Sequence, residues 1–113
     1  MLRIWHNPRC SKSRAVLDIL QGKHIEFEVL NYLIRPLDAE DLRGLVRKSG
    51  EQLRSFVRTK EPEYRVTGLH DHSPEDALMR ALLAYPILIE RPIAETVDRA
   101  IICRPPERVL EML

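Results

Sequence analysis

Cysteine is scarce in this sequence: only Cys10 and Cys103 occur, and they stand far apart in the chain. Two such residues make no disulfide framework of the kind that staples small secreted domains. No apolar run is long enough to span a bilayer, and the N-terminal Met1-Leu2-Arg3-Ile4 lacks the hydrophobic segment of a signal peptide. An excess of one charge is missing too, because 18 Lys+Arg against 17 Asp+Glu leave a formal net charge of +1. That balance supplies no overall field for nucleic acid or anionic lipid, so neither is expected as a partner. Any anion must be gripped by a local cluster. Repeats, low-complexity tracts and linkers are also absent. These absences point to a single cytoplasmic domain, residues 1–113, in a reducing setting where small thiols can recycle a reactive sulfur.

What is present is an ordinary globular balance, with 44% hydrophobic and 31% charged residues over 113 positions, enough for one moderate core. The pattern opens with an apolar strand through Leu2, Ile4 and Trp5. A helix from about Lys12 to Gln21 follows, carrying Val16, Leu17, Ile19 and Leu20, with Gly22 as its stop. Phe27 and Val29 alternate with Glu26 and Glu28 in a second strand. Strand, helix and strand in so few residues make a βαβ unit, which implies parallel pairing. The middle, about 38–85, is helical. Asp38 starts one helix and Ser49-Gly50 ends it; a shorter segment bears Leu53, Phe56 and Val57 and breaks at Lys60-Glu61-Pro62-Glu63. Ser73 at N-cap with Pro74 at N1 predicts a further helix, ending before Pro86. Beyond it, the apolar Ile87-Leu88-Ile89 begins a return to β structure. Pro92 to Val97 and Arg99 to Cys103 read as an antiparallel pair, and Pro105-Pro106 opens a last helix with Val109, Leu110 and Leu113 inward. The expected fold is α/β: a thioredoxin-like mixed sheet of about four strands with an inserted helical segment.

One stretch concentrates chemistry: His6-Asn7-Pro8-Arg9-Cys10-Ser11-Lys12-Ser13-Arg14. It lies in the turn from the first strand to the first helix. The first backbone N–H groups of a helix have no partners inside it and carry the positive end of its dipole. A thiol there is favoured as thiolate, and the same N–H groups can cradle an oxyanion. Arg9, Lys12 and Arg14 add positive charge, and His6 could stabilise a thiolate as imidazolium or simply end a strand in solvent. A lone cysteine is often a small buried hydrophobe, but these basic, polar flanks favour a nucleophile at Cys10. Cys103, among Ile101 and Ile102, fits the buried role.

Two further lacks narrow the chemistry. Position 13 is Ser, so no resolving thiol stands three places after Cys10, and a redox cycle would need an outside thiol. Position 16 is Val, where a tyrosine-phosphatase loop would need Arg. The Arg91-Pro92 and Arg104-Pro105 pairs fix each arginine beside a strand end. Their guanidinium groups suit tetrahedral oxyanions, although solvated surface arginines would read the same way. His70-Asp71-His72 reads as a polar loop rather than a metal site, and Tyr32 carries no specific signal.

Four segments together resemble the glutaredoxin-coupled arsenate reductase (ArsC-type) family. They are Ile4-Trp5-His6-Asn7-Pro8-Arg9-Cys10-Ser11-Lys12-Ser13-Arg14, Phe56-Val57-Arg58-Thr59-Lys60-Glu61-Pro62-Glu63-Tyr64, Tyr85-Pro86-Ile87-Leu88-Ile89-Glu90-Arg91-Pro92-Ile93 and Cys103-Arg104-Pro105-Pro106-Glu107-Arg108-Val109-Leu110. The resemblance implies Cys10 as nucleophile, with Arg58, Arg91 and Arg104 holding the oxyanion. His6, Asn7, Ser13 and Arg14 would support the thiol loop, and Pro92 falls on the family's cis-proline. It further implies arsenate as substrate, glutathione as co-substrate, glutaredoxin as partner, and no bound metal or other cofactor. The better-known members carry small residues where this chain has Arg9 and Lys12. Two other readings of a single thiol on this fold stand beside it: a glutathione-dependent thiol-disulfide oxidoreductase, and an adaptor akin to regulators that bind RNA polymerase.

Overall fold

The structure, a computed structural model, describes residues 1–113. Its centre is a four-stranded sheet in the order β2-β1-β3-β4, formed by β1 (Leu2–His6), β2 (Phe27–Asn31), β3 (Ile93–Glu95) and β4 (Ala100–Ile102). β1 pairs parallel with β2 and antiparallel with β3, and β3 pairs antiparallel with β4. Helix α1 (Ser11–Gly22) joins β1 to β2, while α2 (Ala39–Ser49), α3 (Pro62–Val66) and α4 (Glu75–Ala84) lie between β2 and β3. This is the thioredoxin-like mixed α/β arrangement that the element order implies.

Strand alternation sorts the core into two layers. Leu2 and Ile4 of β1, Ala94 of β3 and Ile101 of β4 join Val16 and Leu20 of α1 and Val109 near the C-terminus. Their strand neighbours Trp5, Ile93 and Ala100 join the larger cluster with Leu42, Leu45, Phe56 and Leu82 from the inserted helices. Successive side chains of a strand face opposite sides, so a helical layer covers each face of the sheet. Glu95, one of the few buried charges, ties the sheet to α2. It accepts from Trp5 Nε1 at 2.9 Å and from Lys48 Nζ at 2.8 Å. Arg3 Nη1 also stands 3.7 Å from the carboxylate, so removing either partner weakens its pairing without leaving the charge alone.

Several local expectations shift in the structure. Asp38 does cap α2, in a reciprocal box with Asp41, and Gly50 ends it at φ 71°. Gly22, expected as the stop of α1, is instead its last residue. The left-handed position falls on His24 at φ 56°, and the Ile25→Leu20 and His24→Gln21 backbone bonds close the end there. Ser73 does not cap α4; its hydroxyl accepts from the His70 N–H, and Pro74 takes the cap position. Pro62 opens α3 rather than only breaking the chain, as a proline can at a helix start. Ile87 and Leu88 lie in a 3₁₀ turn, and only Ile89 makes a β contact, an isolated bridge to Val57. The final helix, Pro106–Met112, is also 3₁₀. With three residues per turn, Val109 is buried and Met112 packs inward, while Leu110 and Leu113 face solvent. Val29 is exposed because β2 is an edge strand. No helix is long and apolar enough to cross a membrane.

Candidate active site

Cys10 occupies the N-cap of α1 in extended backbone (φ −92°, ψ 121°) and is partly exposed. The turn that carries it is bonded throughout. Cys10 N–H donates to the Asn7 carbonyl at 3.0 Å, and Arg9 N–H donates to Asn7 Oδ1 at 2.9 Å. Ser13 Oγ accepts from the Asn7 N–H at 3.1 Å and meets His6 Nδ1 at 2.6 Å. Arg14 Nη1 closes the turn onto the Pro8 carbonyl at 2.8 Å. His6, Asn7, Ser13 and Arg14 therefore act on the backbone of the loop, leaving the sulfur free of a side-chain cap bond. His6 is buried, and burial followed by the Arg14 charge lowers its pKa below the ordinary value. The ring is buried and bonded to Ser13, so it braces the turn rather than ending a strand in solvent, and its lowered pKa disfavours the imidazolium alternative.

The ionisation of Cys10 reflects opposed effects. Partial burial pushes its pKa up, but the N–H groups of Ser13 and Lys12 and the Arg91 guanidinium pull it down, and the net shift is downward. The expectation of nearby help from Arg9, Lys12 and Arg14 is corrected here. Arg9 and Lys12 are exposed side chains, and Arg14 is spent on Pro8; the effective cation, Arg91, arrives from far along the chain.

Sheet register explains that arrival. β1 and β3 pair Trp5 with Ile93, and β3 and β4 pair Ile93 with Ile102. Continued two places outward, the same registers set Asn7 beside Arg91 and Arg91 beside Arg104. The peptides Arg91-Pro92 and Arg104-Pro105 are both cis. Arg104 Nη1 donates to the Arg91 carbonyl at 3.0 Å, and Cys103 N–H donates to the Pro92 carbonyl at 2.9 Å. Arg58 enters from another direction. Backbone bonds from Arg58 N–H to Leu88 O and from Glu90 N–H to Phe56 O, each 2.8 Å, zip 56–58 against 88–90.

The three arginines thus share one network, tied by two carboxylates that the sequence reading did not single out. Glu61 contacts Arg58 Nε at 3.1 Å and Arg91 Nη2 at 3.4 Å. Glu90 contacts Arg58 Nη1 at 3.4 Å and Arg104 Nε at 3.5 Å. Three guanidinium groups over two carboxylates leave positive charge available to an anion. Glu61, three places after Arg58, and Glu90, next to Arg91, were legible as neighbours of arginines but carried no signal of their own. Arg91 is 7% exposed; its Nη1 donates to the Ile87 carbonyl at 2.7 Å, while its Nε has no partner. Arg58, Glu90 and Arg104 also line an open groove of about 420 Å³ with Thr59 and Lys60. His70-Asp71-His72 lies apart in a turn closed by His70 N–H on Ser73 Oγ and His72 N–H on His70 Nδ1.

A partly exposed thiol at a helix mouth, on a thioredoxin-like sheet and beside joined guanidinium groups, defines a class of single-thiol domains suited to chemistry on oxyanions. Comparison with known proteins makes the family specific. The pattern of the ArsC family matches residues 5–112, and the chain belongs to that family. It is 40% identical over 114 residues to an arsenate reductase of Neisseria meningitidis, covering 99% of this chain and 97% of that protein. It is 45% identical over 114 residues to a protein of Escherichia coli K12 called uncharacterized protein YfgD, covering 99% and 96%. Among solved structures, an arsenate reductase from Vibrio cholerae superposes with a TM-score of 0.92 at 39% identity, covering 99% of this chain and 97% of the other.

Proposed function

We propose that this protein reduces arsenate to arsenite through a Cys10 thiol-arsenate adduct, with glutathione and glutaredoxin supplying electrons. The observation that carries the reading is the lowered thiol pKa of Cys10 beside Arg91, within a network that also holds Arg58 and Arg104. Ordinary thiols are mostly protonated at neutral pH, and a lower pKa makes more of the nucleophilic form available. A thiolate and an oxyanion repel each other, so the surplus guanidinium charge is what lets them approach. The names of similar proteins from Neisseria meningitidis and Vibrio cholerae agree with this assignment.

In the first step the Cys10 thiolate attacks arsenic, an S–As bond forms, and one oxygen leaves as hydroxide or, with a proton, as water. Glutathione then bonds to arsenic in the same way. The electron pair that converts As(V) to As(III) comes from sulfur, and the two sulfurs end joined as a disulfide. Glutaredoxin returns Cys10 to thiol by exchange. With Ser at position 13 and its hydroxyl bonded to His6, the local turn offers no second sulfur, which supports an external reductant. Phosphate matches arsenate in shape and charge, so the arginines bind both; discrimination rests on the readiness of As(V) to accept two electrons. The deciding assay follows glutathione oxidation in the presence of glutaredoxin, with arsenate in one arm and a disulfide substrate in the other. Arsenate-dependent turnover is expected. Turnover of the disulfide alone would assign the protein to thiol-disulfide exchange.

A further inference from the structure

Tyr32 is fully buried, and its hydroxyl has no hydrogen-bond partner in the protein. The only other buried side-chain polar atom in that condition is Arg91 Nε. Unbonded buried donors are few and each typically costs about 1–3 kcal/mol, so two that stand close together ask for an explanation. Sheet register brings both to one place. β1 and β2 end on the pair His6 and Asn31; Asn7 follows the one, and Tyr32 follows the other in a turn closed on the Asn31 carbonyl. On the other side of β1, Asn7 falls beside Arg91, and Arg91 beside Arg104. Tyr32, Asn7, Arg91 and Arg104 therefore lie just beyond the strand ends on one side of the sheet, where the turn that carries Cys10 begins. Burial raises the Tyr32 pKa most; the Arg91 charge, the Asn7 side chain and the Arg58 charge lower it, and the Cys10 charge raises it.

We propose that the Tyr32 hydroxyl is a further substrate-binding residue, donating a hydrogen bond to an oxygen of the oxyanion held between Cys10 and Arg91. The inference rests on the oxyanion site of the preceding reading, not on arsenic being reduced there. A phenol contributes something the arginines do not: a donor that adds no charge to a network of three guanidinium groups and two carboxylates. Burial holds its pKa at about 12, so it keeps the proton it donates throughout the range in which Cys10 is ionised. A second use of the same unbonded pair follows. Arg91 Nε and Tyr32 Oη can serve two oxygens of one tetrahedral anion, whereas a purely structural tyrosine would be expected to spend its hydroxyl on the protein.

The test uses inorganic phosphate, which binds without being reduced, and reads how well it protects Cys10 from iodoacetamide. Tyr32→Phe retains the ring and removes only an unbonded oxygen, so its thermal midpoint should equal or exceed that of the wild type. Its phosphate protection constant should weaken on the order of tenfold, the size of a lost hydrogen bond to a charged group. An unchanged constant in Tyr32→Phe overturns the proposal, as does a wild type that phosphate does not protect. In the wild type, saturating phosphate should also shift the ring-carbon resonance of isotopically labelled Tyr32, and a resonance that stays in place counts against the proposal without any mutation. Protection by phosphate in a protein that does not reduce arsenate would refute the proposed reaction while leaving the Tyr32 comparison fully informative.

Discussion

The two sulfurs of this chain sit in opposite electrostatic surroundings. Cys10 lies at the mouth of α1, partly exposed, with two backbone N–H groups and a guanidinium lowering its pKa. Cys103 follows β4, fully buried among Leu2, Ile4, Val16, Leu20 and Ile101, its Sγ donating to the Ile101 carbonyl at 3.7 Å. Burial there pushes its pKa up to about 12. Both residues feel desolvation; at Cys10 two N–H groups and Arg91 outweigh it, whereas at Cys103 the Ala94 N–H and the Arg108 charge do not. The helix mouth supplies N–H groups that its own turns cannot use, whereas Cys103, sealed in the apolar layer, has a single strand N–H, that of Ala94, to set against its burial.

Substitution at the two sulfurs gives the largest contrast. Cys10→Ser should abolish arsenate-dependent glutathione oxidation, and Cys103→Ser should retain it. Loss of turnover only in the Cys103 variant would reverse the assignment.

Arg91→Ala tests what makes the helix mouth different. The iodoacetamide rate of Cys10 should rise with pH through a midpoint below that of an ordinary thiol, and the variant's midpoint should move upward. Phosphate protection should weaken by tenfold or more, the scale of a lost bidentate contact. The variant should also lose about 1–3 kcal/mol of stability, because the Ile87 carbonyl and Glu61 lose a buried donor. An unchanged alkylation profile would remove Arg91 from the thiol's surroundings.

The smallest effect is on alkaline stability, and its sign differs between the sulfurs. Cys10 ionises more readily folded than unfolded, so its contribution is present above the unfolded thiol value and is lost as pH falls through the lowered folded value. Cys103 resists ionisation when folded. Its contribution is complete below the unfolded value and is lost as pH rises from about 9 towards about 12. Denaturant melts should therefore show Cys103→Ser losing less stability than the wild type across that window. Tyr32, also held at about 12, contributes in the same direction and remains in both proteins. Parallel pH curves for the two proteins would mean that the buried thiol is not resisting ionisation.

Patterns confined to neighbouring residues were readable in the chain. The strand–turn–helix around Cys10, the Asp38 start and Gly50 end of α2, and the β3–β4 pair all follow from spacing and turn chemistry. Errors of local reading arose where one signal had two readings. Gly22 offered a stop, but the helix closed at His24 through its backbone bonds; Ser73 offered a cap, but its hydroxyl went to the preceding turn. The interior face of the last segment depended on its being 3₁₀, which an apolar period of three or four does not distinguish over seven residues.

The sequence by itself determined that a thiol would stand at a helix start, without a second thiol nearby, on an alternating β/α chain, because these properties depend on contacts a few residues long. Only the tertiary structure decided which cation reaches that thiol. The sheet brings Tyr32, Asn7, Arg91 and Arg104 to one end, and the zipping of 56–58 onto 88–90 delivers Arg58 and its two carboxylates. Ionisation followed the same division: burial and charge at a sulfur are set by groups scattered along the chain, and folding alone brings them within reach.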